Sequence, residues 1–556
     1  MEAIRNAIDN LKEKHIFKEK YESAKKEALE REMRRDHKRK SKHFHNVKSE
    51  KYCPRDPKLE SGGTTGSTPP PTTNGAPGNN NTTPAQPGTG STPANPTSPA
   101  SEMDLALLAV TRLSYGPATG DLNNVTKMQF STWLTQQLNP SQIDDSTLDQ
   151  RLATIPALSQ TNAQLRDSTT ISAQKRSLSD ELLSATLLRK VMSKRQLLEI
   201  MTEFWSDHFN VDINKEGVLP LKFADDKGIR TNALGRFRNL LGHSAHSPAM
   251  LYYLDNRVNR GKSPNENYAR EVMELHTLGV KGGYTETDVK EVARCFTGWT
   301  VNQTTGEFMF DATIHDNGTK NVLGYAIPSN GQQEGEMVLD ILANHPSTAQ
   351  FIAKKLCQKL VSDNPSSSLI AEISAVFMAN QGNIAQTIRA ITMSADFGAS
   401  QGKKLRRPFD YMAAALRVLG ASLDTPTAIG KYLDRLDQFP FSWQPPTGYP
   451  DSAASWLNAS GLLNRWNFAQ ALTKGITGIS VNLSGLIDST LTAEGITSQL
   501  EQRLLGKPLS STSHNTIVTL LAGGQSTTQP IPAATLTRLL PATIGAMLSS
   551  PEFQVK

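Results

Sequence analysis

Glu271 and Glu274 stand three residues apart, with Asn267 four residues before and Leu278 four after, so all of them fall on one stripe of a helix. Asp288 and Glu291 repeat the step of three beyond a KGGY turn at 281–284. If two helices pack antiparallel across that turn, four carboxylates converge, and such a core holds divalent metals or runs general acid/base chemistry. His276 belongs to the same stretch, but its step of five from Glu271 aims it well away. The candidate catalytic set is therefore Glu271, Glu274, His276, Asp288 and Glu291. Other histidines are His208 in FWSDHFNV, His243 and His246 in LGHSAHSPAM, and His315 beside Asp316 in ATIHDNGTK. A set of His208, Glu271, Glu274 and His315 suits Zn, Fe or Mn, so a divalent metal is the cofactor it would take. The di-metal pattern is incomplete, because the residue three after Glu271 is another glutamate rather than a histidine. The competing role for these carboxylates is structural, as ion-pair partners of Arg270, Lys290 and Arg294.

Helices must position these groups. From residue 103 onward apolar residues recur every three or four positions, as in SDELLSATLLRKVMSKRQLLEIMTEFWSDHF (179–209) and KLRRPFDYMAAALRVLG (404–420). The expected fold is mainly α, a multi-helix globular body with one small β-hairpin insertion. That hairpin is expected over 306–327, where Phe308 and Phe310 alternate with polar neighbours and Asn317-Gly318 offers a tight turn. Ser263-Pro264 opens a helix that Gly279 closes, and Thr285 with Asp288 forms the start of the next, which should run to Trp299. Tyr268, Val272, Leu275, Val289, Val292, Phe296 and Trp299 supply the apolar side of this pair, with Tyr268 and Trp299 as structural residues. The loop FPFSWQPPTGYPDSAASW (439–456) sets Phe, Trp and Tyr among four prolines, a stiff aromatic surface that either lines a ligand cleft or is strapped over the core. Gly398-Ala399-Ser400-Gln401-Gly402 matches a G-x-S-x-G pattern, but a helix precedes it where the nucleophile elbow needs a strand.

Before the body, residues 61–102 hold no aromatic and almost no aliphatic side chain. They read as a disordered Pro/Thr/Gly/Asn linker. Residues 1–60 read as a charged amphipathic helical segment, with Ile4, Ile8, Leu11, Phe17, Tyr21 and Ala24 on or near one stripe. They also carry the charge: of 59 Lys+Arg and 53 Asp+Glu, this segment has 18 and 12, leaving 41 of each elsewhere. A neutral body lacks the basic stripe of a nucleic-acid domain, so no specific nucleic acid is expected as partner. Cys53, Cys295 and Cys357 are too few and scattered for a disulfide framework or a Cys-based zinc site. No stretch is long and apolar enough to span a bilayer, and the start has no apolar signal-peptide core. As written, the chain is expected in the cytoplasm.

The body resembles the bacterial DUF1800 family, whose hallmark is a segment of the form PNENYARELMELHTLGV followed by GGYT, DV and a terminal TGW. Pro264 to Trp299 reproduce it nearly unbroken. TRLSYGPATGDL (111–122), FWSDHFNV (204–211), LYYLDN (251–256), EGEMVLDILANHPSTAQFIAKKL (334–356), RRPFDYMAAALRVLG (406–420) and WLNASGLLNRWNFAQAL (456–472) extend the likeness over nearly all of 103–475, and 476–556 should be the C-terminal helical part of the same body. The resemblance implies a mostly helical fold and, for many members, export to the periplasm or cell surface. It also implies neighbourhood with a DUF1501-like sulfatase-related protein as a possible partner, and it implies no established reaction. Members commonly begin with a signal that leads into such a linker, so residues 1–60 depart from the pattern. Two functions follow as expectations. One is a noncatalytic binding or assembly protein of the bacterial cell envelope, which the linker, neutral body and incomplete site favour. The other is a metal-assisted or acid/base hydrolase-type enzyme with its site around His208, Glu271, Glu274 and His315.

Overall fold

Caps and apolar spacing explain where the helices begin and which face they bury. The computed structural model describes residues 100–167 and 172–556. The segment expected over 1–60 and the linker over 61–102 therefore lie outside the described residues, apart from 100–102. Ser101 caps the first of the described helices, α1 (Glu102–Arg112), in a reciprocal capping box with Asp104. A long helix, α2 (Ser172–Met192), is followed after a short turn by α3 (Gln196–His208) and then α4 (Leu219–Asn232). On α3, Leu197, Ile200, Met201, Phe204 and Trp205 keep the i, i+3, i+4, i+7, i+8 spacing, and all are buried. Its other face carries Glu199, Glu203 and Asp207 at steps of four. That stripe faces protein too.

The hallmark segment forms two helices, α5 (Glu266–Glu274) and α6 (Glu286–Cys295), which pack against each other. Thr285 and Asp288 make the expected capping box of α6. Three boundaries differ from expectation. Asn265, not Ser263, caps α5 through a bond from the Asn267 N–H. Helix α5 ends at Glu274, a turn before Gly279, and α6 stops at Cys295, so Trp299 opens a strand instead of closing a helix. Even so, Tyr268, Val272, Val289, Val292, Phe296 and Trp299 are all buried, as their spacing requires.

The single hairpin expected over 306–327 is two. Strand β1 (Trp299–Val301) pairs antiparallel with β2 (Phe308–Phe310), and β3 (Lys320–Val322) pairs with β4 (Tyr325–Ile327) across a Leu323-Gly324 turn. Asn317-Gly318 is no hairpin turn here, because the Gly318 N–H is taken by the Asp316 carboxylate next to Arg294. A third two-stranded pair joins Ser422–Leu423 to Ile479–Ser480. Helices α7 (Gln333–Ala343), α8 (Pro346–Leu360), α9 (Pro408–Val418), α10 (Ala459–Lys474) and α11 (Ala533–Leu548) carry most of the remaining core. Pro408 sits in the first turn of α9, where its missing N–H costs nothing, and every residue of this helix is buried.

One apolar cluster joins α1, α3–α8 and the helices between α8 and α9, including Phe130, Trp205, Trp299 and Phe397. Another contains Leu183, Ile200, Met412, Leu500, Ile544, Met547 and Phe553, so the C-terminal helices share a core with α2, α3 and α9. Arg112, at the end of α1, is buried and donates to four carbonyls, those of Leu360 (2.7 Å), Val361 (2.8 Å), Ser400 (2.8 Å) and Lys556 (2.6 Å). Cys295 and Cys357 are buried free thiols. Among the described residues no helix is long and apolar enough to cross a membrane.

Candidate functional site: a buried ion-pair cavity

The hallmark carboxylates take structural roles. Asp288 completes the capping box of α6 by accepting from Thr285 on one oxygen, and its other oxygen accepts the Leu323 N–H at 2.7 Å. Glu291 pairs with Arg294 at 2.8 Å and accepts the Asn321 N–H, fixing the start of the second hairpin. Arg270 bridges Glu286 at 2.7 Å and Glu266 at 3.3 Å, and stands 3.9 Å from Glu274. Glu271 is half-buried with no side-chain hydrogen bond among the described residues, and burial, reinforced by Glu274, raises its pKa.

Nor do the four candidate metal ligands meet. His208 spends Nε2 on the His276 carbonyl (3.0 Å) and accepts from Lys355 on Nδ1 (3.0 Å). His315 is buried against the Thr297 carbonyl and 3.1 Å from Glu334, which Lys320 also holds. His276 is buried among Phe209, Tyr268 and His208, and burial drives its pKa down to about 3. A ring that stays neutral and packs on aromatics serves the core. His243 bonds the Asp225 carbonyl, while His246 stacks on Trp299 and pairs with Glu336. Among the described residues no three His, Cys, Asp or Glu side chains stand together as a metal-ligand set. Ser400 is buried behind a short helix at Ala395–Gly398, with Arg112 as its neighbour, so no nucleophile elbow exists there.

This geometry yields a test. Because the folded carboxyl of Glu271 titrates above its unfolded counterpart, folding is penalised at neutral pH. The penalty vanishes as pH falls below the unfolded value, about 4.3. Glu271→Gln should therefore melt at or above the parent temperature at pH 7, with the gain shrinking by pH 4. A large loss at pH 7 would reveal a partner that the structure does not contain.

The polar stripe of α3 builds a different site. Glu199, Glu203, Ser206 and Asp207 line a cavity of about 40 Å³ together with Tyr115, Thr186 and Lys190, Thr202, Asp226 and Arg230 of α4, Phe409, and Gln438, Pro440, Phe441 and Tyr449. Glu203 is saturated. Lys190 lies 2.7 Å and Arg407 2.9 Å from one oxygen, and the Tyr115 hydroxyl (3.2 Å) and Lys359 (3.5 Å) approach the other. Burial pushes its pKa up, but Arg407, Lys190 and Lys359 outweigh this and hold it at about 2. One turn on, Asp207 has a single side-chain partner among the described residues, Arg407 at 2.6 Å. Burial, with Glu203 adding to it, raises its pKa. Among the described residues its second oxygen has no hydrogen-bond partner, and neither has the buried Ser206 hydroxyl on the same wall. Across the cavity Arg230 spans Asp226 (2.6 Å) and Glu199 (3.2 Å). Behind the wall, Asp410 of α9 pairs with Lys556 at 2.9 Å.

The aromatic loop at 439–456 does both things its composition suggested. It is strapped down: Asn210 donates to the Trp443 and Pro445 carbonyls, the Tyr253 hydroxyl to Gln444, and the Tyr449 hydroxyl to Phe439. Pro440, Phe441 and Tyr449 also wall the cavity. Gly448, at φ +70°, presses so closely that a Cβ would stand 1.9 Å from the Asp207 carbonyl oxygen, so only glycine fits.

A mainly helical body enclosing an ion-paired polar cavity is the class of protein that fold and site define. A family model described as "Protein of unknown function (DUF1800)" matches residues 108–555, and the chain belongs to the DUF1800 family. No curated protein and no solved structure matches it.

Proposed function

We propose that this protein binds a small polar ligand in the cavity between α2, α3, α4, α9 and the 439–456 loop, as a binding protein and not as a metal-dependent hydrolase centred on the hallmark segment. The observation that carries this reading is the Ser206 hydroxyl, buried and, among the described residues, unpartnered, on a cavity wall that Asp207 also lines. A buried hydroxyl without a partner costs about 1–3 kcal/mol, so it is retained for something that fills the place. Ser206→Ala should raise the unfolding free energy by about 1 kcal/mol. It should also blunt the rise in melting temperature that a panel of small cations, anions and neutral polyols produces in the parent. A destabilised Ser206→Ala, or a parent that answers to nothing in the panel, would sink the reading.

A second reading rests on the neighbouring carboxylates. Glu203 and Asp207 are one turn apart with pKa values pushed in opposite directions, the division of labour used by acid/base catalysts. Asp207 would carry the proton and Glu203 would stay ionised. A setting at the bacterial cell envelope, alongside a DUF1501-like sulfatase-related partner, belongs to the same proposal and rests on the family resemblance. Co-purification from the native host, followed by identification of what is retained, tests it.

A further inference from the structure

We infer that the cavity takes a small primary ammonium ion, held by Asp207 and Ser206; this rests on the binding reading above. Its wall carries four carboxylates, of Glu199, Glu203, Asp207 and Asp226, against two cations, Lys190 and Arg230. Both cations are engaged, Lys190 by Glu203 at 2.7 Å and Arg230 by Asp226 at 2.6 Å. What the wall leaves open is mainly acceptor capacity: the second Asp207 oxygen and the Ser206 oxygen. The neutral donors left are the Ser206 hydroxyl and the Gln438 amide NH₂, whose own carbonyl is taken by the Phe409 N–H at 2.8 Å, and the Lys190 N–H bonds not spent on Glu203 lie against the Tyr115 and Phe409 rings. An incoming anion would meet four carboxylates and two cations that already have carboxylate partners. An ammonium has three donors and no acceptor, the complement of what is open here.

Aromatic walls favour the same class. Lys190 already sits 3.9 Å from the Tyr115 ring centre and 4.6 Å from that of Phe409, so these faces accept cations. Phe441 and Tyr449 supply further aromatic surface on the loop side. Size sets the limit. A cavity of about 40 Å³ holds roughly three water-sized groups, which matches methylammonium or ethylammonium better than the bulkier tetramethylammonium. Binding requires an ionised Asp207, and because burial raises the pKa of that carboxyl, affinity should fall as pH is lowered through it.

The test is a thermal-shift and calorimetric titration of the full chain with methylammonium chloride, sodium formate and tetramethylammonium chloride at one ionic strength, at pH 7.5 and 5. The expected result is a saturable rise in melting temperature with methylammonium alone, weaker at pH 5. The apparent affinity should drop at least tenfold in Asp207→Asn and several-fold in Ser206→Ala, which keeps every charge should Asp207→Asn fail to fold. Saturable binding of formate in place of methylammonium would overturn the ammonium assignment while leaving the cavity as a binding site. An equal response to tetramethylammonium would mark a general salt effect and overturn it as well. Silence from all three overturns both the assignment and, if the wider panel is silent too, the binding reading.

Discussion

Arg407→Met is expected to lower the unfolding free energy by about 3–5 kcal/mol, because it leaves a buried carboxylate without its cation. The loss falls unequally on the two acids that Arg407 serves. Glu203 keeps Lys190, Lys359 and the Tyr115 hydroxyl, whereas Asp207 loses its only side-chain partner among the described residues. An unpaired buried carboxylate responds by taking a proton, so its pKa rises further and the loss should be largest at neutral pH and shrink as the solution is acidified. Arg407→Met combined with Asp207→Asn should recover most of the stability, since the stranded charge is gone. Urea unfolding of the two single variants and the double variant at pH 7 and 5 measures this. A single variant as stable as the parent, or a double variant no better than Arg407→Met, would show that Asp207 is solvated and that the cluster does not work as one unit.

Trp299→Ala is expected to cost about as much, 3–5 kcal/mol, through the cavity it leaves. Trp299 is fully buried at the start of β1, stacked on His246 at 4.5 Å and edge-on to Phe296 and Phe308 at 5.0 and 5.3 Å. Helix α7 comes so close that a Cβ on Gly335 would lie 2.4 Å from the indole. The indole N–H has no partner, so Trp299→Phe loses no hydrogen bond and should retain most of the stability. Thermal and urea unfolding of both variants separate packing from polar loss. An unchanged Trp299→Ala would mean that the ring is not the anchor of the two hairpins.

The sequence made the helical body legible because its signals are local. The Thr285 and Asp288 capping box, the buried spacing through Tyr268 and Phe296, and the doubtful nucleophile at Ser400 all depend on residues within a turn or two of each other. Strand pairing was less legible, since Phe308 chose Val301 across a six-residue loop over a partner beyond Asn317-Gly318. The cavity was missed for a physical reason. Glu199, Glu203 and Asp207 stand at steps of four in QLLEIMTEFWSDHF, and such a stripe reads as a solvated face unless one knows what lies opposite. The cations that bury it, Arg407 and Lys359, are more than 150 residues further along. A warning sign was present: the intervening Leu197, Ile200, Phe204 and Trp205 leave α3 almost no exposed side, so its acids had to be paired inside. Conversely, the dense charge of 264–299 drew attention to residues that close caps and surface pairs.

The four carbonyls held by Arg112 bear on how the chain reaches this structure. Those bonds link positions 248, 249, 288 and 444 residues apart. Contacts of such separation require closing very long loops before any of their energy is gained, which slows folding and places their formation late. Until the last of them forms, burying the guanidinium at the end of α1 would strip it of water without giving it all its acceptors. That helix therefore has little reason to settle early, although it is made early, and the body should acquire its stability in one late cooperative step, with no gradual accumulation from the N-terminal side.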